Sequence, residues 1–131
     1  MKVIVDTAVW SLALRRSQVV ADKSVKLLED LIADGRVILL GIVRQEVLSG
    51  IRHNEQFERL KVALRAFPNL EVTTHDYELA AEYFNLCRRH GVQGANTDFL
   101  ICAAAVQRNY SILTTDRFRE FRILASHQPA A

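Results

Sequence analysis

Short apolar runs alternating with helical stretches predict an α/β protein. The expected product is a three-layer α/β/α sandwich around a central parallel sheet of about five strands. Three observations carry this reading. Val3-Ile4-Val5 and Val37-Ile38-Leu39-Leu40 are short, continuous apolar runs of the kind a parallel sheet buries on both faces. The stretches between such runs space their apolar residues three and four apart, as helices do. The chain has 131 residues and is 50% apolar, which suits one domain with one core. That domain is expected over residues 1–125, followed by a flexible tail from 126 to 131.

The elements follow in order. Val3–Val5 reads as a buried strand. Thr7–Leu14 can form a short helix, with Asp6 or Thr7 near its N-cap. Residues 20–33 place Val25, Leu28, Leu31 and Ile32 at helical spacing, and Asp34-Gly35 stops that helix with glycine at the favoured C′ position. Val37–Leu40 is the second buried strand. Gly41 turns the chain into a helix over residues 42–48 that ends near Gly50. Asn54 is expected to cap a helix running to about Phe67, where Pro68 ends it. Residues 70–73 read as a short third strand and residues 76–89 as a helix stopped by Gly91. A loop through Asn96 leads to an Ala-rich helix over residues 97–109, capped by Asn96 or Thr97. Residues 111–115 are the fourth strand and residues 122–125 a weak fifth.

Composition narrows the function. No segment approaches the roughly 20 apolar residues of a membrane-spanning helix. The start Met1-Lys2-Val3-Ile4-Val5-Asp6 lacks the long apolar stretch of a signal peptide, so a cytoplasmic protein is expected. Cys87 and Cys102 sit in apolar helical patterns with no Cys-x-x-Cys pair, which predicts reduced, packed thiols and no zinc centre. Net charge is only +2. With four of the 15 acids set aside in a site, 11 face 17 Lys and Arg, a balance of about +6 that suits a polyanionic partner. Arginine dominates those bases, and its fork matches phosphate; a merely soluble, Arg-rich helical surface has the same composition. No Gly-x-Ser-x-Gly turn and no Gly-rich phosphate loop is present. His53, His75, His90 and His127 lack metal-ligand spacing and are expected to be solvated. Trp10 reads as a core or interface anchor.

Four acids stand out. Asp6 ends the first strand, Glu46 follows the second, Asp98 opens the Ala-rich helix and Asp116 ends the fourth strand. Ligands of open α/β sheets bind beyond the carboxyl ends of the strands. Acids gathered there repel one another unless a hard divalent cation joins them. Each acid also has a structural role open to it. Asp6 can cap a helix. Glu46 can face solvent and pair with Arg44 or Arg52. Asp98 can answer the helix dipole, and Asp116 can start a turn.

The order and flanks of these acids resemble the PIN-domain family, and within it the VapC-type toxins of bacterial toxin–antitoxin pairs. The resemblance rests on Val5-Asp6-Thr7-Ala8-Val9-Trp10, Val43-Arg44-Gln45-Glu46-Val47-Leu48-Ser49-Gly50, Thr97-Asp98-Phe99-Leu100-Ile101-Cys102-Ala103-Ala104-Ala105 and Leu113-Thr114-Thr115-Asp116-Arg117-Phe118. It runs from Lys2 to about Leu124. It implies an endoribonuclease dependent on Mg2+ or Mn2+, with Asp6 and Asp98 as main metal ligands and Glu46 and Asp116 completing the acidic cluster. Thr7 and Thr114 match hydroxyl positions that support the acids. The resemblance further implies a homodimer and a small antitoxin that lays a helix into an apolar groove, with residues 20–33 and 54–67 as candidate walls. The RNA target is expected to be chosen by surface shape and arginine placement.

Other readings compete. A structure-specific DNA nuclease would carry a helical arch insertion, which this chain lacks. A catalytically silent PIN-like RNA-binding module keeps the fold without the chemistry. A receiver domain needs an acid pair after the first strand and a late lysine, but no lysine follows Lys61.

Overall fold

The computed structural model describes residues 1–14 and 23–115, which form two compact units. The first unit comprises Met1–Glu71 and Ser111–Thr115; the second comprises Val72–Tyr110. The expected α/β class is found, with a parallel sheet of four strands and six helices among the described residues. The weak fifth strand at 122–125, the tail at 126–131, Asp116 and the start of the 20–33 helix lie outside the described residues.

The first unit holds the sheet. Strands β1 (Val3–Val5), β2 (Val37–Leu40), β3 (Asn69–Leu70) and β4 (Ser111–Leu113) lie in the order β3-β2-β1-β4, all parallel. Val3 pairs with Val37 on one side and Ser111 on the other. Helices α1 (Thr7–Leu14) and α2 (Lys23–Ala33) connect β1 to β2, and α3 (Gly41–Leu48) and α4 (Asn54–Leu64) connect β2 to β3. The order runs outward from β1 to β3 and then returns to place β4 beyond β1. The topological switch point therefore lies between β1 and β4, where open parallel sheets bind ligands.

Continuous burial explains the strand sequences. Ile4, Val5 and Leu40 are fully buried, so no polar alternation is tolerated. Trp10 of α1 is 1% exposed and meets Phe67 edge-on at 5.2 Å, the core anchor expected from the sequence. Gly35 adopts φ 69°. It closes α2 with bonds from its own N–H to Ile32 O and from Arg36 N–H to Leu31 O, a C-terminal motif in which an L side chain is strained.

In the second unit, α5 (Thr74–Arg89) packs with α6 (Asn96–Arg108), and Phe84 meets Phe99 edge-on at 5.6 Å. Residues Phe99 to Ala105 of α6 are all buried, as expected of a helix apolar on every face. Gly91 at φ 73° ends α5 with the same bonding pattern that Gly35 uses, and Asn109 at φ 58° ends α6 likewise.

Several local expectations are corrected. The third strand covers Asn69–Leu70 rather than 70–73, because Thr73 leaves the sheet to cap α5: its hydroxyl accepts from Asp76 N–H while Asp76 Oδ2 accepts from Thr73 N–H. The helix after Asn54 ends at Leu64, with His53 rather than Asn54 at the N-cap and no side-chain cap bond. Gly41 is the first residue of α3 rather than a turn before it. The cap of α6 is Ala95, not Asn96 or Thr97. The missing cap oxygen is partly offset by Asp98, whose carboxylate reaches back to Ala95 N–H at 3.2 Å. The fourth strand stops at Leu113, where Thr114 turns its hydroxyl to another use.

Candidate active site

The switch point is bounded by Asp6, just past β1, and Thr114, just past β4. Asp6 N–H donates to Leu113 O at 2.9 Å, which holds the two strand ends together. The Asp6 carbonyl accepts from Val9 and Trp10 N–H, so the main chain of Asp6 starts α1. Its carboxylate does separate work: Oδ2 accepts a 2.9 Å bond from Thr114 Oγ1. Asp6 is 5% exposed, and a carboxylate that buried is tolerated only with strong compensation.

Glu46 arrives from the other side. It sits on α3, whose neighbouring Val43 and Val47 are fully buried and fix the helix against the core. Glu46 Oε1 accepts a 2.7 Å bond from Thr7 Oγ1, and Thr7 directly follows Asp6 in the chain. The first unit thus joins Thr114 to Asp6 and Thr7 to Glu46 by two separate hydroxyl-to-carboxylate bonds at adjacent chain positions. The surface ion pair from Arg44 to Glu46 is not formed; the Arg44 guanidinium donates to Asn69 Oδ1, Leu64 O and Phe67 O. Arg44 is the residue that sequence reasoning misplaced. Its only sequence signal is its position two residues before Glu46.

Asp98 lies in the second unit, half-buried at the third position of α6, and its carboxylate accepts from Ala95 N–H. Asp116 lies outside the described residues. Among the described residues, no group of three or more His, Cys, Asp or Glu side chains is close enough to hold a metal ion. The side-chain donors in these two bonds are oxygens, the donor type that a hard divalent cation such as Mg2+ takes. His53, His75 and His90 are exposed, and Cys87 and Cys102 are buried in α5 and α6. No helix among the described residues is long and apolar enough to cross a membrane.

A buried charge cluster in the second unit was not foreseen. Asp76 is fully buried and takes a two-pronged ion pair from Arg108, at 2.8 Å to Oδ1 and 2.7 Å to Oδ2, with Gln107 Nε2 also on Oδ1. The Arg108 hydrogen bonds hold this carboxyl well below the usual carboxylate range; burial opposes them, and the Thr73 N–H adds to them. The spacing Thr73-x-x-Asp76 is the sequence signal for the capping half of this network. Its geometry marks it as a clasp between α5 and α6 rather than a reactive centre.

Known proteins place this arrangement in a family. The sequence model of the PIN domain matches residues 3–124. No curated protein matches the chain. Among solved structures, FitAcB from Neisseria gonorrhoeae superposes with a TM-score of 0.72 at 23% identity, covering 92% of both chains. VapBC2 from Rickettsia felis, bound to a DNA fragment from its promoter, superposes with a TM-score of 0.72 at 19% identity, covering 93% of this chain and 92% of that one. FitAB bound to an IR36 DNA fragment reaches 0.70 at 23% identity, covering 92% of this chain and 90% of that one. At those identities the structures speak for the fold, and with the near-complete sequence match they make this chain a member of the PIN domain family.

Proposed function

We propose that the chain is an endoribonuclease dependent on Mg2+ or Mn2+, acting as the toxin of a toxin–antitoxin pair. One observation carries the proposal: Asp6, 5% exposed at the switch point of the sheet, is held by Thr114 while its chain neighbour Thr7 holds Glu46. Two oriented carboxylates at the ligand-binding end of a parallel sheet suit hydrolysis of a phosphodiester. When bound, the cation supplies a water of lowered pKa and positive charge for the phosphate in the transition state. The residues do the positioning. Thr114 fixes the rotamer of Asp6, Thr7 fixes that of Glu46, and both carboxylates are ready-oriented before substrate arrives. Asp98 and Asp116 are assigned to the same reaction by the order of the family motif, and a single nuclease domain over residues 1–125 is part of the reading.

The partners follow from the same resemblance. Similar folds include FitAB and VapBC2, each described in complex with DNA. A cytoplasmic location, a homodimer and an antitoxin partner are part of the same proposal and rest on the family resemblance. Leu27 and Ile32 of α2 and Val62 of α4 are 47%, 40% and 59% exposed, apolar side chains suited to receive an amphipathic helix.

The test is cleavage of RNA and of DNA of the same sequence, with Mg2+, with Mn2+ and with chelator, by the wild-type chain and by Asp6→Asn and Asp98→Asn. The proposal expects RNA cleavage that chelator and either substitution abolish. Cleavage indifferent to chelator and to both substitutions overturns it. A second reading, a catalytically silent RNA-binding module, draws on the lack of any three-acid group among the described residues. RNA binding without cleavage under every cation would favour it.

A further inference from the structure

We infer that Arg44 is a positioning residue for Glu46 and makes no contact with RNA phosphate; this rests on the nuclease reading above. By sequence, Arg44 belongs with the arginines available to a polyanion, or with the surface ion-pair partners of Glu46. The structure assigns it elsewhere. Its Nε donates to Asn69 Oδ1 at 2.9 Å, its Nη1 to Leu64 O at 3.0 Å, and its Nη2 to Phe67 O. Leu64 and Phe67 close α4 and the turn after it; Phe67 N–H already donates to Leu64 O, and the guanidinium adds a second donor there and one at Phe67 O, pinning that end of the helix.

These contacts close a ring that returns to the candidate site. Phe67, whose carbonyl takes Arg44, sets its ring edge-on to Trp10 at 5.2 Å. Trp10 is 1% exposed on α1, and α1 begins with Thr7. Thr7 donates to Glu46 at 2.7 Å, two residues after Arg44 on α3. Residues two apart on a helix face roughly opposite ways. Arg44 therefore anchors one side of α3 while Glu46 is presented from the other. Together the two contacts set the rotation of α3 about its axis. A three-acceptor grip of this kind needs the planar guanidinium fork, and a lysine ammonium cannot reproduce it.

The experiment uses the full chain with Arg44→Gln, Arg44→Lys and Glu46→Gln, alone and combined, and Arg52→Gln as an exposed arginine for comparison. Rates are normalised to the folded fraction measured by thermal melting. For Arg44→Gln we expect kcat to fall about 10- to 100-fold with KM for RNA and its salt slope unchanged, and Arg44→Lys to recover little. In the Glu46→Gln background, Arg44→Gln should cost almost nothing more, because it acts through Glu46. A raised KM with a salt slope smaller by about 1 would mean phosphate contact and overturn the inference. So would an unchanged kcat per folded molecule, or full additivity with Glu46→Gln. If the wild-type chain cuts no RNA, the nuclease reading fails on its own. Positioning is then judged by the side-chain carboxyl 13C resonance of Glu46, which should shift on Arg44→Gln in the same direction as on Thr7→Val; a resonance unmoved by Arg44→Gln overturns it.

Discussion

Thr114 and Asp6, separated by 108 positions in the chain, are joined by a 2.9 Å hydrogen bond across the switch point of the sheet. The bond ties the ends of β1 and β4 through side chains, beside the main-chain bond from Asp6 N–H to Leu113 O. It gives a half-buried threonine hydroxyl and a buried carboxylate a shared purpose. Thr114→Val keeps the shape and removes the donor. Loss of about 1–3 kcal/mol is expected by urea unfolding, since a buried acceptor loses a partner. Calorimetric titration should show weaker Mg2+ binding. A variant as stable as wild type, with unchanged Mg2+ affinity, would detach Thr114 from the site.

The Asp76–Arg108 clasp makes a prediction about stability and pH. Removing one partner leaves the other charge buried alone, so Asp76→Asn and Arg108→Met should each cost about 3–5 kcal/mol. The folded-state pKa of Asp76 is depressed, chiefly by the Arg108 hydrogen bonds. Its contribution is then fully present above the unfolded carboxylate pKa of about 3.9 and is lost as pH falls below that toward the folded value. Melting temperatures measured from pH 7 down to pH 3 should fall more steeply for the wild type than for Asp76→Asn at the acid end. Parallel curves would argue against the linkage.

Tyr83 predicts the opposite kind of effect. Its hydroxyl is buried without a hydrogen-bond partner among the described residues, and burial, with smaller contributions from Cys102 and Glu82, raises its pKa. Tyr83→Phe removes a polar group that earns no bond. The variant should be as stable as wild type or more stable by up to about 1 kcal/mol, read by chemical denaturation. A loss of more than that would reveal a partner for the phenol.

The exposed apolar residues of α2 and α4 test the proposed antitoxin partner. Leu27→Glu and Val62→Glu replace side chains 47% and 59% exposed, so folding and RNA cleavage should be close to unchanged, within about 0.5 kcal/mol in stability. Affinity for the antitoxin, measured by calorimetry, should fall about tenfold or more for each, as apolar anchors are replaced by charge. Retained affinity would move the partner to another face.

The legible parts of this fold are those written in short-range pattern. Val3–Val5 and Val37–Leu40 read as strands because continuous apolar runs have one use in a parallel sheet, and Gly35 and Gly91 read as helix ends because positive φ favours glycine. Sequence pattern alone overextends the third strand, because Leu70-Glu71-Val72-Thr73 has strand composition while Thr73 is claimed by a capping box whose value lies in α5. Asn54 and Asn96 are good capping residues by type, but the chain places them one position inside their helices. Of the four acids, the sequence supplied identity and order; Asp6 and Glu46 acquired partners only once the sheet aligned β1 with β4 and α1 with α3.

By itself, then, the sequence determined the α/β class, the parallel sheet, the order of the elements and membership of the PIN domain family, because these follow from local periodicity and motif order. Tertiary structure alone decided that Thr114 serves Asp6, that Thr7 serves Glu46, that Arg44 grips the end of α4, and that Arg108 neutralises Asp76. Each of those pairings joins residues 20 or more positions apart, and each forms only when packing removes water and brings donor and acceptor within about 3 Å.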